Sequence, residues 1–303
     1  MPLFLYSKNI VATINDGRLY HVIISSLPAN NAVVCSAFSF ILLYIQALMV
    51  NYMVNEYRLI PRQTYLPAMS YLLITSLLPE WNYLSSPLLS STLIIWMFIK
   101  LFRLYNSGNT KAQVYNIGLI AGISSYIYFP SALFVLCILL GIMILKPFKL
   151  NEMFLFILGS LTPYYFHLVY LFLSDRLSIA NYFPHISLRI PLINSTIWLA
   201  ASILLLTIPF LVGGYLIQVH MRKMLIQGRK NWSVLLLYLL MAFFVPFINS
   251  DQTFNTWVII TAPFAAFHAC AYYYPVKRFM PGFLFIITVG YILFQQYGTP
   301  TWH

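Results

Sequence analysis

Long apolar stretches separated by short polar connections run along most of the chain. The longest, Ala112–Leu145, holds thirty-four residues without a Lys, Arg, Asp or Glu and is bounded by Lys111 and Lys146. An α-helix needs only about 20 residues to cross the hydrocarbon core, so one straight helix would be too long by roughly half. Pro130 near the middle disfavours helix at the residue before it. The pattern therefore predicts a helical hairpin with its tip at Tyr128–Ser131.

Eight further apolar segments, some short and paired, predict membrane-crossing helices. Together with the two hairpin arms they make about ten membrane segments, so the predicted fold class is an all-α polytopic transmembrane bundle. The eight are Ala32–Met53, Tyr65–Leu78, Pro87–Leu101, Met153–Leu173, Thr196–Gln218, Ser233–Ile248, Asn255–Tyr273 and Phe283–Phe294. Residues 32–303 are expected to form a single transmembrane domain. Residues 1–31 form a more polar N-terminal segment ahead of it.

The charged residues between these segments predict which loops face the cytoplasm. Lys and Arg accumulate on the cytoplasmic side of membrane proteins, and both ends of the hairpin are basic. Alternating the loops from there places thirteen basic residues inside and four outside. The N-terminal segment is then outside. Four of the six carboxylates fall on that same outer face, namely Asp16, Glu80, Asp175 and Asp251.

Composition narrows the class of protein further. A chain that is 61% hydrophobic and 8% charged, with a mean hydropathy of +0.80, is not a soluble globular protein. The net charge is +11, but the basic residues are spread between the apolar segments and do not form one patch with aromatic stacking partners. Membrane lipids are therefore expected as partners, and nucleic acid is not. The three cysteines have no C-x-x-C spacing, so neither a disulfide framework nor a thiolate metal site is indicated.

The outer carboxylates and arginines are the main candidates for chemistry. A general base or a divalent-metal ligand needs an ionised carboxylate at the membrane edge, and Asp16 and Glu80 are the candidate catalytic residues. Guanidinium groups bind phosphate bidentately, so three outer arginines are candidates for binding a lipid phosphate, such as that of a polyprenyl-phosphate carrier. They are Arg18, Arg176 and Arg189. The competing interpretation is that these carboxylates are merely solvated and these arginines contact ordinary head groups.

Two histidines, His167 and His268, lie inside apolar segments. Polar groups at membrane depth are costly, which makes each a site candidate, although a hydrogen bond between helices explains each equally well. No two histidines are spaced i, i+3 or i+4, so no metal site is predicted from the local sequence. P-loop, dinucleotide-binding, G-x-S-x-G and H-E-x-x-H motifs are absent from the sequence.

Residues 48–177 resemble an uncharacterised bacterial inner-membrane family known only as a domain of unknown function. The resemblance implies a multi-pass protein of the bacterial inner membrane and brings no established activity. Its members begin with one further apolar span, so this chain is expected to lack an upstream span. The matching pieces are Val54–Leu59, Tyr65–Ala68, Tyr128–Pro130, Lys146–Phe148, Gly159 and Leu161–Tyr164.

In layout the chain also resembles, more distantly, the GT-C glycosyltransferases, which take sugars from polyprenyl-phosphate carriers on the outer face. The shared features are an acidic outer segment before a long span, short paired spans, Ser86-Pro87 near an outer end, and an apolar hairpin with an aromatic-proline tip. The resemblance implies that Asp16 acts as base or metal partner, with Glu80 as a second acid. Asp16-Gly17-Arg18 carries one acidic residue where an acidic pair is expected.

Three functions are therefore considered. The first is a lipid-linked sugar or envelope-lipid transferase with an outer-face site, for which a divalent metal is the one cofactor to expect. The second is a non-catalytic membrane subunit that scaffolds a cell-envelope complex with protein partners. A transporter comes third, because intramembrane charge is nearly absent and no inverted repeat is visible.

Overall fold

The structure is a computed structural model. It describes residues 15–26, 32–106, 108, 110–147, 149–175, 187–188, 191, 197–248, 254–275 and 279–297. Within these ranges the chain forms helices and two isolated β-bridges, and it forms no strand. The α-helices are α1 (Arg18–Ser26), α2 (Ala32–Glu56), α3 (Leu66–Leu77), α4 (Ser86–Arg103), α5 (Lys111–Ile127), α6 (Leu133–Leu145), α7 (Leu150–Leu173), α8 (Ile197–His220), α9 (Ile226–Phe244), α10 (Thr261–Tyr273) and α11 (Phe279–Tyr297).

Six helical stretches in the described ranges are long and apolar enough to cross a membrane. They are Val33–Glu56, Ser86–Arg103, Leu150–Leu173, Ile197–Lys223, Ile226–Phe247 and Phe254–Tyr273. Shorter apolar helices lie beside them at Leu66–Leu77, Phe129–Leu145 and Phe279–Gln295. The all-helical, multi-span class predicted from the sequence is thus confirmed, while the count of about ten membrane segments stays a prediction.

Prolines mark where several of these helices begin. Pro67 and Pro87 occupy the first turns of α3 and α4, and Pro130 occupies the first turn of the short 3₁₀-helix Phe129–Ala132. A first-turn residue has no intrahelical partner for its N–H, so proline costs nothing there and its fixed φ suits the helix. The sequence thereby sets the starting points of the short paired helices.

The predicted hairpin in Ala112–Leu145 is confirmed. Helix α5 ends at Ile127, the 3₁₀-helix Phe129–Ala132 forms the tip, and α6 ends at Leu145. The two arms pack mainly on other helices, α5 on α7 and α6 on α9. A Cβ added at Gly118 would lie 2.2 Å from the Phe156 carbonyl oxygen, so α5 and α7 approach too closely for any larger residue there.

Aromatic side chains fill the centre of the bundle. The rings of Phe98 and Tyr238 stack with their centroids 4.3 Å apart, and Phe134 meets Tyr238 edge-on at 5.1 Å. All three side chains are fully buried. The Tyr238 hydroxyl donates to the Ile259 carbonyl at 3.2 Å, which satisfies its polar group in the apolar interior. This cluster joins α4, α6 and α9 to the segment that precedes α10.

One end of the bundle, here named the basic end, is defined by hydrogen bonds between α9 and the carbonyls that follow α2 and end α6. Trp232 Nε1 donates to the Leu59 carbonyl at 3.0 Å, and Lys230 Nζ donates to the Leu145 carbonyl at 3.2 Å. The cations at this end are Arg58, Arg62, Lys100, Arg103, Lys111, Lys146, Lys149, Arg222, Lys223, Arg229 and Lys230. The helices carry the chain from there to the opposite end, named the acidic end, where Asp16, Glu80 and Asp175 lie.

Candidate functional site at the acidic end

The described part of the N-terminal segment is attached to the tip of the α5–α6 hairpin. Gly17 N donates to the Ile127 carbonyl at 2.8 Å, and Asp16 forms an isolated antiparallel bridge with Tyr128. A Cβ at Gly17 would lie 1.9 Å from the Tyr126 carbonyl oxygen, so this approach requires glycine. These contacts fix Asp16 and Arg18 on either side of Gly17 at the acidic end.

Asp16 lies at the N-terminus of α4. Its Oδ1 accepts a hydrogen bond from the Ser86 hydroxyl at 2.5 Å, and Ser86 is the first residue of that helix. The positive end of a helix dipole attracts negative charge, so the N-terminus of α4 is a favourable neighbour for the Asp16 carboxylate. Burial raises the pKa of Tyr20, and the negative charge of nearby Asp16 raises that pKa further.

Arg18 and His167 form the second half of the site. Arg18 Nη1 lies 3.0 Å from His167 Nε2, and the Tyr126 hydroxyl lies 2.7 Å from His167 Nδ1. A guanidinium can only donate, so Nε2 accepts and the ring is the neutral tautomer with its hydrogen on Nδ1. Nδ1–H then donates to the Tyr126 oxygen. Two of the sequence candidates, 149 residues apart, are thereby brought together.

Glu80 makes its contacts with a different element. Its Oε2 accepts a hydrogen bond from the Phe254 backbone N–H at 2.8 Å, while Trp81 Nε1 donates to the Phe254 carbonyl at 2.9 Å. The two side chains hold the start of the 3₁₀-helix Phe254–Ile260. Glu80 therefore has a structural contact with the start of this 3₁₀-helix.

His268 lies away from this cluster and connects two helices. Its Nε2 is 2.7 Å from the Leu206 carbonyl, and the side chain is buried between α10 and α8. A carbonyl only accepts, so Nε2 carries the hydrogen. The hydrogen bond between helices, one of the two explanations considered for this residue, is present.

The remaining sequence candidates are spread outside this cluster or outside the described residues. Arg176, Arg189 and Asp251 lie outside the described residues, so their predicted roles stay predictions. Asp175 is exposed, just after α7, with a φ of 52°. Among the described residues no group of three or more His, Cys, Asp and Glu side chains could hold a metal ion. The divalent metal that the glycosyltransferase resemblance implies stays a prediction.

Sequence reasoning missed two members of the cluster. Tyr126 was one of many aromatic residues in the hairpin, and no local signal distinguishes it. Ser86 was noted only as part of Ser86-Pro87, and its contact with Asp16 joins positions 70 residues apart. Comparison with protein-family models, curated proteins and solved structures finds no match to the chain.

Proposed function

We propose that the chain is a transferase that acts on a lipid-linked sugar or an envelope lipid, with its site at the acidic end. The observation that carries this proposal is the arrangement of Asp16 and Arg18 on the hairpin tip. A carboxylate at a helix N-terminus and a guanidinium bonded to a neutral histidine lie two residues apart in the chain. A base beside a phosphate ligand is the pair of groups that such a transfer needs.

Each residue has a role in the proposed step. Asp16 accepts the proton of the acceptor hydroxyl, whose oxygen attacks the sugar carbon bonded to the carrier phosphate. The bond from that carbon to the phosphate oxygen breaks, and the phosphate leaves as an anion on Arg18. His167 positions Arg18 through Nε2, and Tyr126 positions His167. The proton on Asp16 then passes to solvent.

An apolar surface for the lipid tail adjoins the phosphate ligand. The two α7 residues that precede His167 expose their aromatic side chains, with Phe166 65% and Tyr165 63% accessible. In a bilayer these side chains face lipid, and the bilayer also holds the tail of a polyprenyl carrier. With its phosphate bound at Arg18, the carrier would therefore have its polyprenyl tail within the membrane along α7.

Turnover of a labelled lipid-linked sugar tests the assignment. In membranes containing the full chain, Asp16→Asn is expected to lower turnover about a hundredfold or more, since general-base catalysis contributes at least that much. Arg18→Lys should raise KM about tenfold, because one ammonium replaces a bidentate guanidinium. The matched control is Asp175→Asn, which removes an exposed carboxylate at the same end and should leave turnover unchanged.

Glu80→Gln tests the second candidate acid. Glutamine can still accept from the Phe254 N–H, so the structural contact survives and any fall in turnover reports on the carboxylate charge. Wild-type turnover in both Asp16→Asn and Glu80→Gln would overturn this assignment of catalytic residues. A loss in Asp175→Asn equal to that in Asp16→Asn would point to the charge of the whole face and not to a base.

Limited burial of two long helices favours the second function, a membrane subunit that scaffolds an envelope complex. The apolar windows of α7 and α8 are each 22% buried within the chain, compared with 83% for Phe254–Tyr273. A partner's transmembrane helices would cover those faces. Purification in a mild detergent followed by native mass spectrometry should then show co-purifying envelope proteins, and a lone monomer would contradict the scaffold function.

A further inference from the structure

A groove with a volume of about 520 Å³ lies between α2 and α4, well away from the acidic end. At one end it is lined by Thr92 and Leu93, and at the other by Lys100 and Arg103. The eleven residue steps from Thr92 to Arg103 rise about 16 Å along a helix. The groove therefore runs from membrane depth to the basic end, and its character changes from apolar to cationic along the way.

Aromatic side chains form the middle of the groove. Trp96 is 43% exposed and Tyr52 is 51% exposed, and both line the groove. Lys100 Nζ lies 5.7 Å from the centroid of the Trp96 ring, a cation–π contact that holds the ammonium over the groove. Tryptophan and tyrosine suit the membrane interface, so this level corresponds to the head-group region.

The two cations have no acidic partner within the groove. None of its lining residues is an Asp or a Glu, and no ion pair joins Lys100 or Arg103 to another described residue. Glu56 is exposed at the end of α2 and is not a lining residue, although its charge and that of Arg103 both act on Tyr57, which lines the groove. A ligand with one negative charge at this level would therefore meet two cations in the lining and no carboxylate within it.

An apolar stripe continues from the groove along α2. Ile41, Ile45, Leu48 and Tyr52 are all exposed and are spaced four, three and four residues apart, so they share one helix face. This face extends over about 16 Å of helix. It is long enough to hold much of an acyl chain whose head group lies at the basic end.

We propose that the α2–α4 groove binds one anionic phospholipid. Its phosphate lies between Lys100 and Arg103, and one acyl chain runs past Leu93 and Met49 onto the exposed face of α2. A zwitterionic lipid fits less well, because its ammonium group would adjoin the same two cations. This site is separate from the proposed transferase site, and it would regulate or stabilise the chain whatever reaction the acidic end performs.

Native mass spectrometry of the purified full chain tests the site with defined lipids. Phosphatidylglycerol and phosphatidylcholine are titrated separately into detergent-solubilised protein. The double variant Lys100→Gln, Arg103→Gln is expected to bind phosphatidylglycerol about twenty-fivefold more weakly, roughly fivefold for each cation removed. The matched control, Arg222→Gln with Lys223→Gln, removes two exposed cations of the same end outside the groove and should change binding less than twofold.

A second variant tests the apolar part of the groove without altering charge. Leu93→Trp fills the end next to Met49 and should also weaken phosphatidylglycerol binding, even if the double variant folds poorly. Equal losses of phosphatidylglycerol affinity in the groove and control variants would show that the lipid is attracted by surface charge in general, which would overturn the proposal. Equal affinity for the two lipids, displacement by millimolar inorganic phosphate, or full binding to Leu93→Trp would each overturn it as well.

Discussion

At the scale of single residues, the acidic end depends on pairs that lie far apart in the sequence. Asp16 and His167 were both recognisable as candidates, one as an outer carboxylate and the other as a polar group at membrane depth. The pairings of Asp16 with Ser86 and of His167 with Arg18 were not recognisable, because these side chains meet only in the folded chain. The Ser86 hydroxyl and the N-terminus of α4 hold the Asp16 carboxylate in place for its proposed role as a base.

Gly17 is the residue on which the attachment of this segment depends. In Gly17→Ala the new Cβ would lie 1.9 Å from the Tyr126 backbone oxygen, so the segment must shift away from the hairpin tip. We expect docking to weaken by about 1–3 kcal/mol, as for other overpacked sites. Trypsin should then cleave after Arg18 about tenfold faster or more in the purified protein, because the segment is undocked for more of the time.

Gly290→Ala provides the control for this change. Gly290 lies in α11, and beyond the neighbouring backbone of its own helix the added methyl group meets no atom within 4 Å. Alanine is also favoured over glycine in a helix, and the variant should be as stable as the wild type or slightly more so. Unchanged cleavage after Arg18 in Gly17→Ala would show that the segment is not attached as described.

At the scale of helices, sequence patterns predicted the elements better than their partners. The run without charge in Ala112–Leu145 and the position of Pro130 were enough to predict the hairpin and its tip. The pairing of α5 with α7 was not predictable in the same way. These helices are apolar on nearly every face, so hydropathy marks no single side for burial. The G-x-x-x-G spacing of Gly118 and Gly122 is typical of a close contact between helices, but it does not identify α7 as the partner.

At the scale of the whole molecule, the two ends separate the charges as the sequence predicted. Eleven described cations lie at the basic end, and among the described residues Arg18 is the cation assigned to the acidic end. Charge along the chain was informative because each short loop belongs to one end only. The sequence could not reveal the α2–α4 groove, since Trp96 and Tyr52 come from helices that meet only after folding.

The orientation of this charge separation in a membrane is a testable property of the fold. Helix α7 connects Lys149 at the basic end to Asp175 at the acidic end, and its 24 residues span about 36 Å. That length exceeds the hydrocarbon core of about 30 Å, so the two positions should lie on opposite sides. We expect Asp175→Cys to react with a membrane-impermeant maleimide in right-side-out vesicles, and Lys149→Cys to react in inside-out vesicles.

The chain is well suited to this measurement because its own cysteines, Cys35, Cys137 and Cys270, are all buried. The wild type should therefore give a low background, and both variants should react after solubilisation in detergent. Labelling of both positions from one side would mean that α7 does not cross. The opposite pattern would place Asp16 and Arg18 in the cytoplasm, and the carrier would then have to present its sugar from the inner leaflet. Sidedness thus decides whether the proposed transferase site faces the outside or the cytoplasm, before any substrate is known.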